Sequence, residues 1–143
     1  MKTTKKTNKH AELPKPIIAL DYDGTITLNV PFWVDFINRA EMAGFAVAIV
    51  TMRYPEEKES MDHRILAHPW IITTERHAKR EFCAAFGVHP AIWIDDQPNF
   101  ILFDAADART APVLDVGGIQ ALRAAQDDLK EEFKNNPPTV RPQ

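Results

Sequence analysis

Short apolar runs, each stopped by a polar residue, punctuate the chain. Ile17-Ile-Ala-Leu20 stops at Asp21, Phe45-Ala-Val-Ala-Ile-Val50 at Thr51, and Ala91-Ile-Trp-Ile94 at Asp95. Trp70-Ile-Ile-Thr73 and Pro112-Val-Leu-Asp115 have the same character. Unbroken apolar runs of this length predict strands covered on both faces. Between them the period changes. In residues 31–43, Phe32, Trp33, Phe36, Ile37 and Ala40 fall at helical spacing, with Pro31 at the start and Gly44 after the end. Further helices are predicted over 55–67, over 75–86 with Gly87 as the stop, and over 117–134. Residues 97–111 predict irregular helix. Strands alternating with helices predict an α/β domain: a five-stranded parallel sheet with helices on both faces, in three layers.

The 143 residues, 45% of them hydrophobic, suffice for one such domain. It is expected over 16–134, between a polar arm (1–15) and a proline-rich tail (135–143). The single cysteine, Cys83, excludes a disulfide framework and a cysteine-rich zinc site. It suits a reducing compartment, so a cytoplasmic location is expected. No apolar run approaches the roughly 18 residues of a membrane span. The start is basic but lacks the apolar stretch of a secretion signal. A net charge of −3 argues against a dedicated duplex-DNA binder. The arm nevertheless concentrates Lys2, Lys5, Lys6, Lys9 and Lys15 against Glu12 alone. Its simplest use is solubility; a nucleic-acid contact is the alternative.

Three strands end in reactive side chains. The first runs into Asp21-Tyr-Asp23-Gly24-Thr25, the second into Thr51-Met52-Arg53, the fourth into Asp95-Asp96. In an open parallel sheet these ends share one edge, where ligands bind. Each fragment alone is as well read as a turn or a strand terminus. Their order and spacing together point to a site. The carboxylates of Asp21, Asp23, Asp95 and Asp96 would crowd that edge, and could not all ionise comfortably without a cation. A hard, oxygen-preferring ion such as Mg²⁺ fits that need.

In these residues the chain resembles the haloacid dehalogenase-like phosphohydrolases, over roughly residues 16–120. Asp21-Tyr-Asp-Gly-Thr-Ile26 is similar to the family's first motif, Thr51 to the second, and Asp95-Asp96 to the fourth. Lys79 is the choice for the third, with Arg80 and Arg76 as rivals. The resemblance implies a Rossmann-like sheet of order 5-4-1-2-3 and a phosphatase working through an aspartyl-phosphate. Asp21 would be the nucleophile. Asp23 would protonate the leaving group and then activate water. Thr51 and the Met52 backbone would hold phosphate oxygens, with Lys79 supplying positive charge. Mg²⁺ would take the Asp21 and Asp95 carboxylates, the Asp23 carbonyl, and Asp96 directly or through water. No cap domain fits after Thr25 or between Thr51 and Lys79, which implies an open site. The expected substrate is a phosphorylated nucleotide or nucleic-acid end, with phosphoprotein second.

Other readings remain. A signalling receiver domain groups acids, a threonine and a lysine on a similar sheet, but in a different chain order. A phosphate-binding domain without catalysis is opposed by intact Asp21 and Asp23. A nucleotide kinase is opposed by the lack of a Gly-x4-Gly-Lys-[Ser/Thr] loop. Arg53 reads equally as a phosphate contact and as a salt-bridged surface residue. Cys83 reads as a buried apolar residue, and the three tryptophans as core, with lining of the site as the alternative for Trp33 because it follows the first motif closely. Five scattered histidines suggest no zinc site.

Overall fold

The computed structural model describes residues 13–108 and 119–137. They fall in two units, divided between Ala111 and Pro112. In the first unit, β1 (Ile17–Leu20), β2 (Ala46–Thr51), β3 (Ile71–Thr73) and β4 (Ile92–Ile94) form one sheet of order β3-β2-β1-β4. All three pairings are parallel. The fifth strand expected at 112–115 lies outside the described residues, as do arm residues 1–12 and tail residues 138–143.

Side-chain alternation along the strands builds two cores. Ile18, Leu20, Val47 and Ile49 point to one face, where Ile37 and Ala40 of α1 (Val30–Met42) and Ile65 of α2 (His63–Leu66) cover them. Ala19, Ala48 and Val50 point to the other, with Cys83 of α3 (Lys79–Ala85). Trp33 packs against the first cluster, and Trp70 and Trp93 against the second, as expected of core tryptophans. Helix α1 begins as its sequence predicts: the Asn29 side chain accepts from the Phe32 N–H, and Pro31 sits in the first turn. Residues 97–111 contain the short helices α4 (Asn99–Leu102) and α5 (Ala105–Ala108), matching the irregular helix expected there.

Two predicted helices differ from the structure, each for an identifiable reason. Residues 55–67 do not form one helix but a 3-10 segment, Pro55–Ser60, followed by the four-residue α2. In an α-helix the Glu57 carbonyl would accept from the Met61 N–H. Here Arg53 Nη1 takes that carbonyl at 2.8 Å, and Met61 N–H turns to Lys58 O at 2.9 Å. The next amide, Asp62, donates to the Tyr22 hydroxyl at 2.8 Å. Tertiary partners thus replace the helical ones.

The helix expected over 75–86 starts only at Lys79. The preceding loop stays alongside the exit of β2. Thr74 N–H donates to Thr51 O, Glu75 N–H to Arg53 O and Arg76 N–H to Met52 O, at 2.8, 3.2 and 2.9 Å. This path forces Glu75 and Arg76 into left-handed backbone, with φ of 53° and 69°. Such conformations cost about 1–2 kcal/mol each for a residue with a Cβ.

In the second unit, α6 (Ile119–Asn135) occupies nearly the range read from the sequence. Leu129 and Phe133, four positions apart, both stand exposed on it.

Candidate active site

Register explains why distant residues meet. Leu20 pairs with Ile49 on one side and with Ile94 on the other, so Asp21, Thr51 and Asp95 leave the sheet at the same edge. The Asp21 N–H extends this ladder by donating to Ile94 O at 2.9 Å. Beyond the edge lies a cavity of about 170 Å³. Asp21, Asp23, Thr51, Met52, Lys79 and Asp96 line it, together with Arg76, Gln97 and Phe100.

Lys79 is the organising cation. Its Nζ donates to Asp21 Oδ1 at 2.7 Å and to Asp95 Oδ2 at 2.6 Å. The Lys79 and Asp95 side chains are only 2% exposed and that of Asp21 8%. Arg80, the next residue, is exposed, and Arg76 lines the cavity wall without reaching these carboxylates. Between the three basic residues considered from sequence, geometry singles out Lys79. Its position on the first turn of α3 is made possible by the late start of that helix.

The other oxygens of the pair are also bonded. Thr25 Oγ1 donates to Asp21 Oδ2 at 3.2 Å, and Gln97 N–H to Asp95 Oδ1 at 2.9 Å. Asp21, Asp95 and Asp96 each offer a carboxylate oxygen within 4.8 Å of the others. Three carboxylates therefore cluster here, and Lys79 bonds two of them. Burial pushes the Asp21 carboxyl up to about 7 despite the opposing pull of Lys79. A second positive charge at this position would hold it ionised at neutral pH, and oxygen-only donors suit a hard divalent ion. Asp21, Asp95 and Asp96 thus fit such an ion chemically.

Gly24 lets Asp96 come this close. Its φ is +80°, and a Cβ there would collide with the Asp96 carboxylate, lying 2.7 Å from its Cγ. The glycine is required both by its backbone and by its neighbour.

Asp23 shares the cavity but not the cluster. Arg53 grips its carboxylate in a two-point bond, Nε to Oδ2 at 2.9 Å and Nη2 to Oδ1 at 2.8 Å. These bonds hold the Asp23 carboxyl below the usual carboxylate range. Arg53 itself is absent from the cavity lining. Of the two readings its sequence allowed, an ion pair is what the structure contains.

Thr51 is buried, its Oγ1 accepting weakly from the Arg53 N–H at 3.4 Å. Met52 lends its carbonyl to the backbone and side chain of Arg76, both at 2.9 Å. Arg76 also pairs with Glu57 and stacks over Tyr54. Its place in the wall was legible only as a rival cation to Lys79. Gln97 and Phe100 carried no sequence signal beyond following Asp95-Asp96. Thr25 ends the Asp21-Tyr-Asp-Gly-Thr stretch, and nothing in that stretch signals its bond to Asp21.

Cys83 is fully buried, which pushes its thiol up to about 11. Among the described residues, the one group of side chains arranged to hold a metal is the aspartate trio, with no histidine or cysteine in it. No helix among them is long and apolar enough to cross a membrane. Comparison of the chain with protein-family models, with curated proteins and with solved structures finds no match.

Proposed function

We propose that this chain is an Mg²⁺-dependent phosphatase of the haloacid dehalogenase-like type, forming an aspartyl-phosphate on Asp21. One observation carries the reading: a buried lysine bridging the carboxylates of Asp21 and Asp95, beside Asp96 and the Thr51 terminus of β2. A lysine with no chemistry to perform is rarely placed in so dry a site, because removing its charge from water is costly. The reading takes the four parallel strands as the core of a Rossmann-like sheet.

In the first step an Asp21 oxygen attacks phosphorus, and the bond to the leaving oxygen breaks with its electron pair. Asp23 gives that oxygen a proton once the incoming phosphate's negative charge has loosened its pair with Arg53 and let it take one up from solvent. Water then attacks phosphorus and passes its proton to Asp23. The bond to Asp21 breaks, so ester and water yield alcohol and phosphate. Lys79 offsets charge gathering on the phosphoryl oxygens, and the Thr51 hydroxyl orients them. Asp21, Asp95 and Asp96, with the Asp23 carbonyl, would hold Mg²⁺, which supplies charge neutralisation when bound. The substrate is a phosphorylated nucleotide or nucleic-acid end, with phosphoprotein as the second class.

A second reading, a phosphate-binding domain without turnover, is favoured by one feature. Both Asp23 oxygens are engaged by Arg53. The two readings separate in a phosphate-release screen over nucleotides, 3′- and 5′-phosphorylated oligonucleotides, sugar phosphates and phosphopeptides. The catalytic reading requires release with Mg²⁺ and its loss in EDTA and in Asp21→Asn. Binding without release by the native chain would favour the second.

A further inference from the structure

Two cationic side chains, Lys79 and Arg76, border the cavity beside Asp21. Lys79 is engaged with acids of the site, its Nζ bonded to Asp21 and Asp95. Arg53 lies outside the lining and holds Asp23. Arg76 bonds no aspartate of the cavity. Its acidic partner is Glu57, which stands outside the lining. Asp21, Asp23 and Asp96 border the same space, so an incoming phosphate meets three carboxylates there. A cation not already paired with one of them is the group that can receive it.

Arg76 is held from several directions. Its N–H and its Nη1 both donate to Met52 O at 2.9 Å, which ties it to the residue after Thr51. Nη2 donates to Glu57 Oε1 at 3.0 Å and to Oε2 at 3.2 Å. The guanidinium lies over the Tyr54 ring, 5.4 Å from the centroid. The Arg76 carbonyl accepts from the Ala105 N–H at 2.8 Å. Yet Nε makes no hydrogen bond among the described residues, and Nη1 has a second hydrogen beyond the one given to Met52. The side chain is 46% exposed. A guanidinium so anchored offers its remaining donors with little further loss of freedom.

The backbone adds a second observation. Among the described residues, only Glu75 and Arg76 combine a side chain with positive φ, 53° and 69°. Strain of this kind concentrates at ligand clamps and active sites, where the surrounding structure holds it in place. Here the strained pair keeps the loop after β3 alongside the exit of β2, and so keeps Arg76 at the cavity.

We propose that Arg76 is a second cation for the substrate phosphate: its open N–H groups take phosphoryl oxygens, while Lys79 keeps Asp21 and Asp95 in place. The proposal deepens the phosphatase reading above and rests on it for the ligand it names.

Titration calorimetry of inorganic phosphate into the full-length protein with Mg²⁺ tests the contact without calling on turnover. Arg76→Gly removes the guanidinium, and glycine adopts a φ of 69° without strain. Its affinity for phosphate should fall about 10- to 100-fold, the loss expected for hydrogen bonds between charged groups. Millimolar guanidinium chloride should restore part of that affinity in Arg76→Gly, and equimolar sodium chloride should not. Glu57→Gln removes the acid paired with Arg76 but keeps an acceptor for the Tyr54 N–H. It should bind phosphate as tightly as the native chain or more tightly, because the Arg76 charge is no longer offset. A purely structural Arg76–Glu57 pair predicts the opposite, an equal loss in both variants.

That equal loss would overturn the proposal. So would phosphate affinity in Arg76→Gly within about 2-fold of native, or no phosphate binding by the native chain. The phosphatase reading fails separately. Release of phosphate by the native chain, with kcat/KM unchanged in Arg76→Gly, removes the proposal and keeps that reading. Phosphate bound through Arg76 but released from no ester in the screen removes turnover and keeps Arg76 as a phosphate contact. Should Arg76→Gly fail to fold, Arg76→Gln, which can still donate to Met52 O, is read in the same way.

Discussion

Lys79 Nζ donates to Asp21 Oδ1 at 2.7 Å across a sequence separation of 58 residues. The same ammonium reaches Asp95 Oδ2 at 2.6 Å. Removing it leaves two carboxylates in a dry site. Lys79→Met should therefore lower stability by about 3 kcal/mol at pH 8 in EDTA, as expected when one partner of a buried pair is lost. Millimolar Mg²⁺ should restore part of it by supplying the missing charge. Urea denaturation with and without Mg²⁺ measures both effects, and a variant as stable as the parent in EDTA would remove Lys79 from its central place.

Asp21 gives the site a pH signature when no cation is added. Its carboxyl is raised by burial from 3.8 to about 7. A group harder to ionise in the fold than in the unfolded chain contributes stability that is fully present below pH 3.8 and lost as pH rises through 7. In EDTA, native protein should thus lose on the order of 4 kcal/mol relative to Asp21→Asn between pH 4 and 8. Mg²⁺ should reduce that loss. Denaturation midpoints of the two proteins across this range provide the check, and parallel curves would contradict the burial argument.

The Gly24–Asp96 approach separates backbone strain from collision. Gly24 and Gly44 both have positive φ, +80° and +98°, but a Cβ at Gly44 would meet nothing within 4 Å. Alanine at either position should cost about 1 kcal/mol from backbone strain. Gly24→Ala should in addition displace the Asp96 carboxylate. It alone should shrink the rise in melting temperature produced by Mg²⁺. Equal Mg²⁺ responses in the two variants would mean that Asp96 does not help to hold the ion.

What could be read from sequence was what local periodicity and strand order determine. The four strands, α1 and the convergence of Asp21, Thr51 and Asp95 all follow from apolar runs that end in polar residues on parallel strands. The lost helical segments were illegible because their cause is tertiary. Nothing local in Pro55–Ser60 announces that Arg53 will take the Glu57 carbonyl. Nothing in the stretch after β3 announces that Glu75 and Arg76 will follow the exit of β2 with positive φ. The pairing of Asp23 with Arg53 spans 30 residues and depends on the β1–β2 register, so only a folded sheet reveals it. Phe100 and Gln97 reach the cavity through α4 and its approach, whose course periodicity does not define.

The central claim is that phosphate passes through Asp21. The most direct measurement is acid quenching during turnover with Mg²⁺ and the best substrate of the screen, followed by borohydride reduction and peptide mass mapping. An aspartyl-phosphate is reduced to homoserine, so the peptide containing Asp21 should change mass at that residue. The change should be absent in EDTA and in Asp21→Asn. Turnover with Asp21 unmodified, or modification at another carboxylate, would contradict the account.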